Sequence, residues 1–337
     1  MGTTILKRHF NLSLISEYRT ELMGYGILFV MLSHALASWM QIPVAGSIVG
    51  KMTTLVHTQG FFFLSGFGLY YSFAKNKDIS QFYYRRLLRM YIPFLLMSFP
   101  IYMTIFILKG SSFIDYVLVQ SALGYYILGK GAMWYISATL FLYAVFPLIF
   151  HLLFNKNNST VNLIICLALW LCIALLLYCF HIEYYHQIDR LIAKFPMFIV
   201  GIYVGCMAKQ GGDISIKVMI GLFLLMCALI LANQYNIDFV MYYKDVAALL
   251  GMMCIAAILK KTNGGGAIGI TLKWLGKYSL ELYIYHMLLK GLLENIVIVL
   301  GYDMNLTIQR IIVPIAVIVS IVICQPVHRG IDRLLNK

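Results

Sequence analysis

Charge is what this chain has least of. Asp, Glu, Lys and Arg make up 12% of its 337 residues, while hydrophobic residues make up 61%. A soluble domain carries about 25% charged residues. A soluble reading would have to hide several wholly apolar segments from water, so the composition excludes it and implies a polytopic membrane protein. Acidic residues are scarcer still, 13 against 26 Lys and Arg, for a net charge of +13. In a soluble chain such an excess suggests nucleic acid. Here it lies in the segments between apolar stretches, where it orients the chain in the bilayer, and no nucleic-acid partner is expected. No CxxC spacing occurs. Cys166, Cys172, Cys179, Cys206, Cys227, Cys254 and Cys324 all sit in apolar segments. They read as small buried hydrophobes, which excludes a disulfide framework and a metal site. Nor is there a polar stretch long enough for an appended catalytic module, an internal repeat, or an apolar core for a cleavable signal peptide after Lys7 and Arg8. Residues 1–337 are expected to form one membrane domain that carries any chemistry itself.

What the chain does have is long apolar runs. A membrane span needs about 20 predominantly apolar residues. Ten segments qualify: 22–40, 52–74, 90–108, 131–154, 161–180, 195–208, 217–233, 245–260, 278–300 and 308–328, the sixth to eighth being short. Residues 113–129 form an extra apolar stretch, expected to be a short or re-entrant helix. An eleventh span there would invert everything after it. Lysine and arginine arbitrate. With ten spans and an inner N-terminus, 18 of the 26 fall in inner segments and 7 in outer ones, with Lys290 inside a span. The expected fold is all-α, with ten transmembrane helices and both termini cytoplasmic. Residues 1–20 form an inner N-terminal segment and 329–337 an inner tail. Asn155–Thr160 and Asn263–Gly266 read as polar turns.

His34 is the first chemical candidate. An ionisable side chain at membrane depth is costly and is a functional hypothesis by default. If the first span begins near Leu22, a rise of about 1.5 Å per residue places His34 roughly 18 Å in, slightly past the midplane of a core about 30 Å thick. Histidine suits proton abstraction near neutral pH. A helix-packing histidine satisfied by a neighbour is the other reading. Arg85-Arg86-Leu87-Leu88-Arg89 comes second. On a helix, Arg85/Arg89 and Arg86/Arg89 are neighbours at i,i+4 and i,i+3. Such a set suits clamping phosphates, and equally suits anchoring to lipid headgroups. Third is Gly60-Phe61-Phe62-Phe63-Leu64-Ser65-Gly66-Phe67-Gly68, whose small residues allow close helix approach. Ser65 has no base at suitable spacing. His57, near the outer end of that span, is a candidate partner for His34. Fourth is the ninth span, where His286, Lys290 and Glu294 follow one another by a helical turn. Lys290 and Glu294 read as a self-satisfied pair, and His286 as the more chemical residue. The segment His181–Lys194 reads as an outer loop, mixed in charge and aromatic, which suits sugar stacking and, as the favoured reading, the interfacial belt.

These features resemble the acyltransferase 3 family of integral-membrane acyltransferases over nearly the whole chain. The resemblance is carried by five elements in order. They are the first span from Arg19 to His34; Phe62-Phe63-Leu64-Ser65-Gly66-Phe67; Arg86-Leu87-Leu88-Arg89 before Pro93; Trp134-Tyr135-Ile136; and Leu275-Gly276-Lys277-Tyr278-Ser279 through Tyr283 to His286. It implies transfer of an acyl group, commonly acetyl, from cytoplasmic acyl-coenzyme A to a hydroxyl of a cell-surface polysaccharide or lipid-linked sugar, in the bacterial cytoplasmic (plasma) membrane. His34 is then the catalytic histidine, Arg86 and Arg89 the donor-side pair, and His286 the family's late histidine. Acyl-coenzyme A is a co-substrate and no metal is expected. Ser65, His57, Trp134 and Tyr135 are further pocket candidates. One position departs: the family places an arginine eleven residues before the histidine, where this chain has Met23. Arg19 lies one turn earlier on nearly the same face and is the expected substitute, aided by Glu21. Two rival classes remain at this level. One is a transporter of a polar or anionic solute using His34, His57, His286 and Lys290, against which there is no inverted repeat. The other is a non-enzymatic subunit of a glycan-export complex.

Overall fold

The computed structural model describes residues 9–39, 58–110, 133–155, 158–233 and 243–335. His57 and the stretch 113–129 lie outside the described residues. Within them the chain is almost wholly helical, with thirteen α-helices and one two-stranded antiparallel pair. The order is β1 (His9–Asn11), α1 (Ser13–Glu17), α2 (Arg19–Leu36), α3 (Gln59–Lys75), α4 (Ile79–Arg86), α5 (Ile92–Lys109), α6 (Trp134–Phe154), α7 (Ser159–Phe180), α8 (Ile182–Lys209), β2 (Asp213–Ser215), α9 (Ile216–Asn233), α10 (Tyr243–Lys261), α11 (Gly266–Lys277), α12 (Ser279–Val299) and α13 (Leu306–Leu335). Helices cover the described part of every expected span. Among the described residues, six stretches are long and apolar enough to cross a membrane: Ile79–Lys109, Trp134–Phe154, Ser159–Phe180, Ile188–Lys209, Ser279–Val299 and Leu306–Leu335. In a bilayer the helix satisfies its own backbone groups, which is why this composition folds as it does.

Three local expectations are corrected. Residues 181–194 are almost entirely the first half of the 28-residue helix α8 and not a loop. Tyr185 and Ile192 pack with Ala174 in a buried cluster against α7, which carries helical structure through a polar sequence. Residues 266–277, read as part of an inner connection, form α11. The polar turn before it stands as expected, with Asn263, Gly264, Gly265 and Gly266 all at positive φ. Third, α4 and α5 join through a π-helical turn, Leu87–Tyr91, in which Ile92 N–H donates to Leu87 O, five residues back. Pro93, at the start of α5, has no N–H to continue an ordinary ladder.

Glycine contacts set the helices that carry the site. A Cβ on Gly24 of α2 would stand 1.8 Å from Leu272 O, and one on Gly276 would stand 1.8 Å from Thr20 O. Thus α2 and α11 touch backbone to backbone, as small residues permit in membranes. The same logic joins α3 to α8. A Cβ on Gly66 would meet Phe198 O at 2.2 Å, and one on Gly201 would meet Phe63 O at 2.1 Å. Between α3, α4, α6 and α8 lies an aromatic core of Phe62, Phe73, Phe82, Phe146, Phe150 and Phe198. The fixed frame therefore presents one face of α2 to α3 and α12, with Arg19 at one end and His34 at the other. At about 1.5 Å per residue those two are roughly 22 Å apart along the axis.

Candidate active site

His34, near the C-terminal end of α2, meets His286 of α12. Nδ1 of His34 lies 2.8 Å from Nε2 of His286, with the rings stacked at 5.1 Å. Nδ1 of His286 lies 2.7 Å from Leu282 O. A carbonyl oxygen only accepts, so His286 Nδ1 carries the hydrogen. In the uncharged pair, His286 Nε2 is then a lone pair that accepts from His34 Nδ1–H. The proton positions thereby follow from the partners, and Nε2 is left as the unprotonated nitrogen of His34. His286 is buried, and Tyr283, a turn before it, stacks edge-on to its ring at 5.6 Å.

His34 lines a cavity of about 310 Å³ together with Thr58, Gln59, Trp134, Arg190, Lys194, Lys244 and Tyr283, among others. Trp134 lies beneath the Arg190 guanidinium, whose carbon is 5.6 Å from the ring centroid. Gln59 is buried, and its Oε1 has no hydrogen-bond partner among the described residues.

A second cavity, of about 160 Å³, gathers Arg19, Arg86 and Arg89 with Met23, Ser65, Tyr135 and Tyr143. Arg19 donates from Nε and Nη2 to Leu64 O at 3.3 and 3.2 Å. Its guanidinium lies over Gly68, where a Cβ would come within 2.4 Å of Nη2. Arg86 Nη2 donates to Ser72 Oγ at 3.0 Å, and its guanidinium carbon lies 5.5 Å from the Phe82 ring centroid and 5.8 Å from that of Tyr143. Its Nε is buried with no partner among the described residues. Arg85 does not line this cavity; the π turn changes the phase of the helix between Arg86 and Arg89. Thr58 and Tyr283 stand in the walls of both cavities, so the arginine-lined space and the histidine-lined space adjoin there.

Of the residues singled out in the sequence, the structure brings Arg19, Arg86, Arg89, Ser65 and Tyr135 to one cavity, and His34 and Trp134 to the other, with His286 behind His34. Ser65 is a hydrogen-bond partner of Tyr135. Glu21 is buried elsewhere, 3.9 Å from Lys273 of α11, and does not line either cavity. Lys290 and Glu294 pair at 3.7 Å within their own helix. Sequence reasoning passed over Thr58, Gln59, Tyr283, Arg190, Lys194 and Lys244 as wall residues. The last three were counted as topological charges, although their placement on the outer side ran against the positive-inside bias. Among the described residues no group of His, Cys, Asp and Glu is arranged to hold a metal ion.

The arrangement thus offers an unshared imidazole nitrogen beside a space rich in guanidinium donors, within a membrane protein. A family model described as an acyltransferase domain, that of acyltransferase 3, matches residues 24–326. No curated protein and no solved structure matches the chain. The matched segment contains His34, Arg86, Arg89, Trp134, Tyr135 and His286, and begins just after Arg19 and Met23. The chain belongs to the acyltransferase 3 family, and the protein is an integral-membrane acyltransferase.

Proposed function

We propose that the protein moves an acyl group, commonly acetyl, from cytoplasmic acyl-coenzyme A to a hydroxyl of a cell-surface polysaccharide or lipid-linked sugar. The observation that carries this reading is the junction of the two cavities at Thr58 and Tyr283, with three arginines on one side and His34 on the other. The donor's phosphates bind Arg19, Arg86 and Arg89, for which bidentate guanidinium donors are suited. The unpartnered Nε–H of Arg86 supports that fit, because a buried donor without an acceptor costs about 1–3 kcal/mol and a phosphate oxygen would relieve it. Arg19 takes the place of the arginine that the family has at the Met23 position; both side chains line the same cavity.

His34 Nε2 acts as general base. It takes the proton of the acceptor hydroxyl as that oxygen attacks the thioester carbonyl. The new C–O bond forms, the C–S bond breaks, and the proton passes to the departing thiolate. A positioned base contributes about 10²–10⁴-fold. His286 holds the His34 ring in the tautomer that leaves Nε2 free.

Ten spans in one domain, with both termini cytoplasmic in the bacterial plasma membrane, put the arginine cavity on the inner side and the His34 cavity on the outer side. The strand pair supports this count. His9–Asn11 and Asp213–Ser215 are hydrogen-bonded to each other, so the chain crosses the membrane an even number of times between them. The six expected spans from 22–40 to 195–208 meet that requirement.

The test is acetyl-coenzyme A binding to purified protein in detergent. Wild type binds saturably, and Arg86→Ala/Arg89→Ala loses at least tenfold in affinity, the equivalent of one charge-assisted contact of about 1.4 kcal/mol. Equal binding by wild type and the double variant sinks the donor site. A His34→Ala protein that is well expressed and fully active in transfer sinks the base.

A further inference from the structure

We propose that the acceptor is anionic, carrying a carboxylate or phosphate ester close to the hydroxyl that is acylated. This rests on the acyl-transfer reading above and adds the acceptor's chemical class.

The cavity that His34 lines is cationic. Arg190 and Lys194 stand one helical turn apart on α8, and Lys244 joins them from α10. No carboxylate lines this cavity among the described residues. Asp189 and Asp245 lie near enough to act on Lys194 through space, Asp245 acts on Lys244 as well, and the Gln59 side chain hydrogen-bonds Asp245. Even so, none of the ion pairs within 4 Å among the described residues includes any of the three cations. Three like charges share one cavity, and two of them, Lys194 and Lys244, are half-buried. They repel one another, and the nearby carboxylates Asp189 and Asp245 offset that only from beyond 4 Å among the described residues. An anion seated among them removes that cost.

Membrane orientation gives no reason for the cluster. The positive-inside bias disfavours basic residues at the outer ends of spans, yet three of the seven basic residues assigned to the outer side line this one space. A second feature points to a polyhydroxylated molecule. Gln59 is 1% exposed, lines the same wall, and offers Oε1 with no donor among the described residues. A ring hydroxyl is such a donor. Trp134 beneath Arg190 adds an apolar surface next to the charges. The cavity is thus matched to an acidic sugar or a sugar phosphate: cations for the anion, an amide oxygen for a hydroxyl, and His34 for the reacting oxygen.

The proposal is tested by direct binding to purified full-length protein in detergent, with three probes. Trigalacturonate carries carboxylates, its full methyl ester has the same scaffold without charge, and a glycerol-phosphate trimer carries phosphate esters. At least one anion binds at least about tenfold tighter than the ester, and which one does so separates carboxylate from phosphate acceptors. Arg190→Gln/Lys194→Gln abolishes that preference, and Lys244→Gln alone, on a different helix, reduces it. Equal binding of ester and anions overturns the proposal. So does the absence of saturable binding of either anion into the millimolar range. A preference that survives in both glutamine variants also overturns it, because the charge is then read elsewhere, by Arg86 and Arg89 for example. Acetyl-coenzyme A binding by the same wild-type preparation keeps the two ideas apart. Donor binding without anion preference defeats this inference alone; anion preference without donor binding defeats the donor site alone.

Discussion

Substituting His286 of α12 by leucine removes the nitrogen that accepts from His34 Nδ1 and changes no residue of α2. The magnitude follows from the geometry. His286 is 1% exposed and 2.8 Å from His34, so no water replaces it without a cavity to occupy. His34 Nδ1–H then stands unsatisfied in a mostly buried place, at a cost of about 1–3 kcal/mol. The ring escapes that cost by turning or by moving its proton to Nε2, and either change removes the lone pair from the acceptor hydroxyl. If the loss is felt in the transition state, about 1–3 kcal/mol becomes a fall in kcat of roughly five- to 150-fold. That is less than the 10²–10⁴ or so expected for removing the base itself with His34→Ala. His286→Gln, whose amide oxygen can accept, recovers part of the loss. The assay is transfer of labelled acetyl from acetyl-coenzyme A into the glycan fraction of inverted membrane vesicles, with donor affinity measured on the same protein. A His286→Leu enzyme within twofold of wild type would refute the positioning role. Equal losses in donor affinity and turnover would also refute it, since the arginines lie in the other cavity and a positioning residue acts on turnover.

Other consequences are more local. Gly68→Ala places a methyl where the Arg19 guanidinium lies, 2.4 Å from Nη2. The side chain must swing away from Leu64 O, and acetyl-coenzyme A affinity falls about tenfold, the scale of one charge-assisted hydrogen bond; unchanged affinity removes Arg19 from the donor site. Gly24→Leu forces α2 and α11 apart at a contact where even a Cβ comes within 1.8 Å of Leu272 O. Overpacking of this kind costs about 1–3 kcal/mol or more, read as a lower thermal midpoint in detergent, and an unshifted midpoint would show the crossing to be looser. Glu21→Gln costs about 0–1 kcal/mol, because Lys273 is largely exposed at 3.9 Å, and leaves donor affinity unchanged. With the seven native cysteines replaced by serine or alanine, single cysteines at Asn11 and Asp213 are both labelled by a membrane-impermeant thiol reagent from the same side, as their strand pairing requires; labelling from opposite sides would break the ten-span count.

Helix and membrane were written in the composition and in the lengths of the apolar runs, because a bilayer accepts few other solutions for such segments. Contacts within one helix were legible as well. Lys290 and Glu294 pair as i,i+4 spacing requires, and Gly66 does admit a neighbouring helix. The arginines at 86 and 89 stand out by charge alone. Relations between helices had no such signal. His34 and His286 are 252 positions apart, Arg19 reaches the other arginines only across Gly68, and Arg190 and Lys244 look like topological charges until α8 and α10 bring them to one cavity. The physical reason is that lipid-facing and buried faces here are both apolar. The pattern therefore carries little record of how each helix is turned about its axis. Composition and spacing determined that this is a membrane helical protein; the rotation and close glycine crossings of α2, α3, α11 and α12 decided which side chains share a cavity.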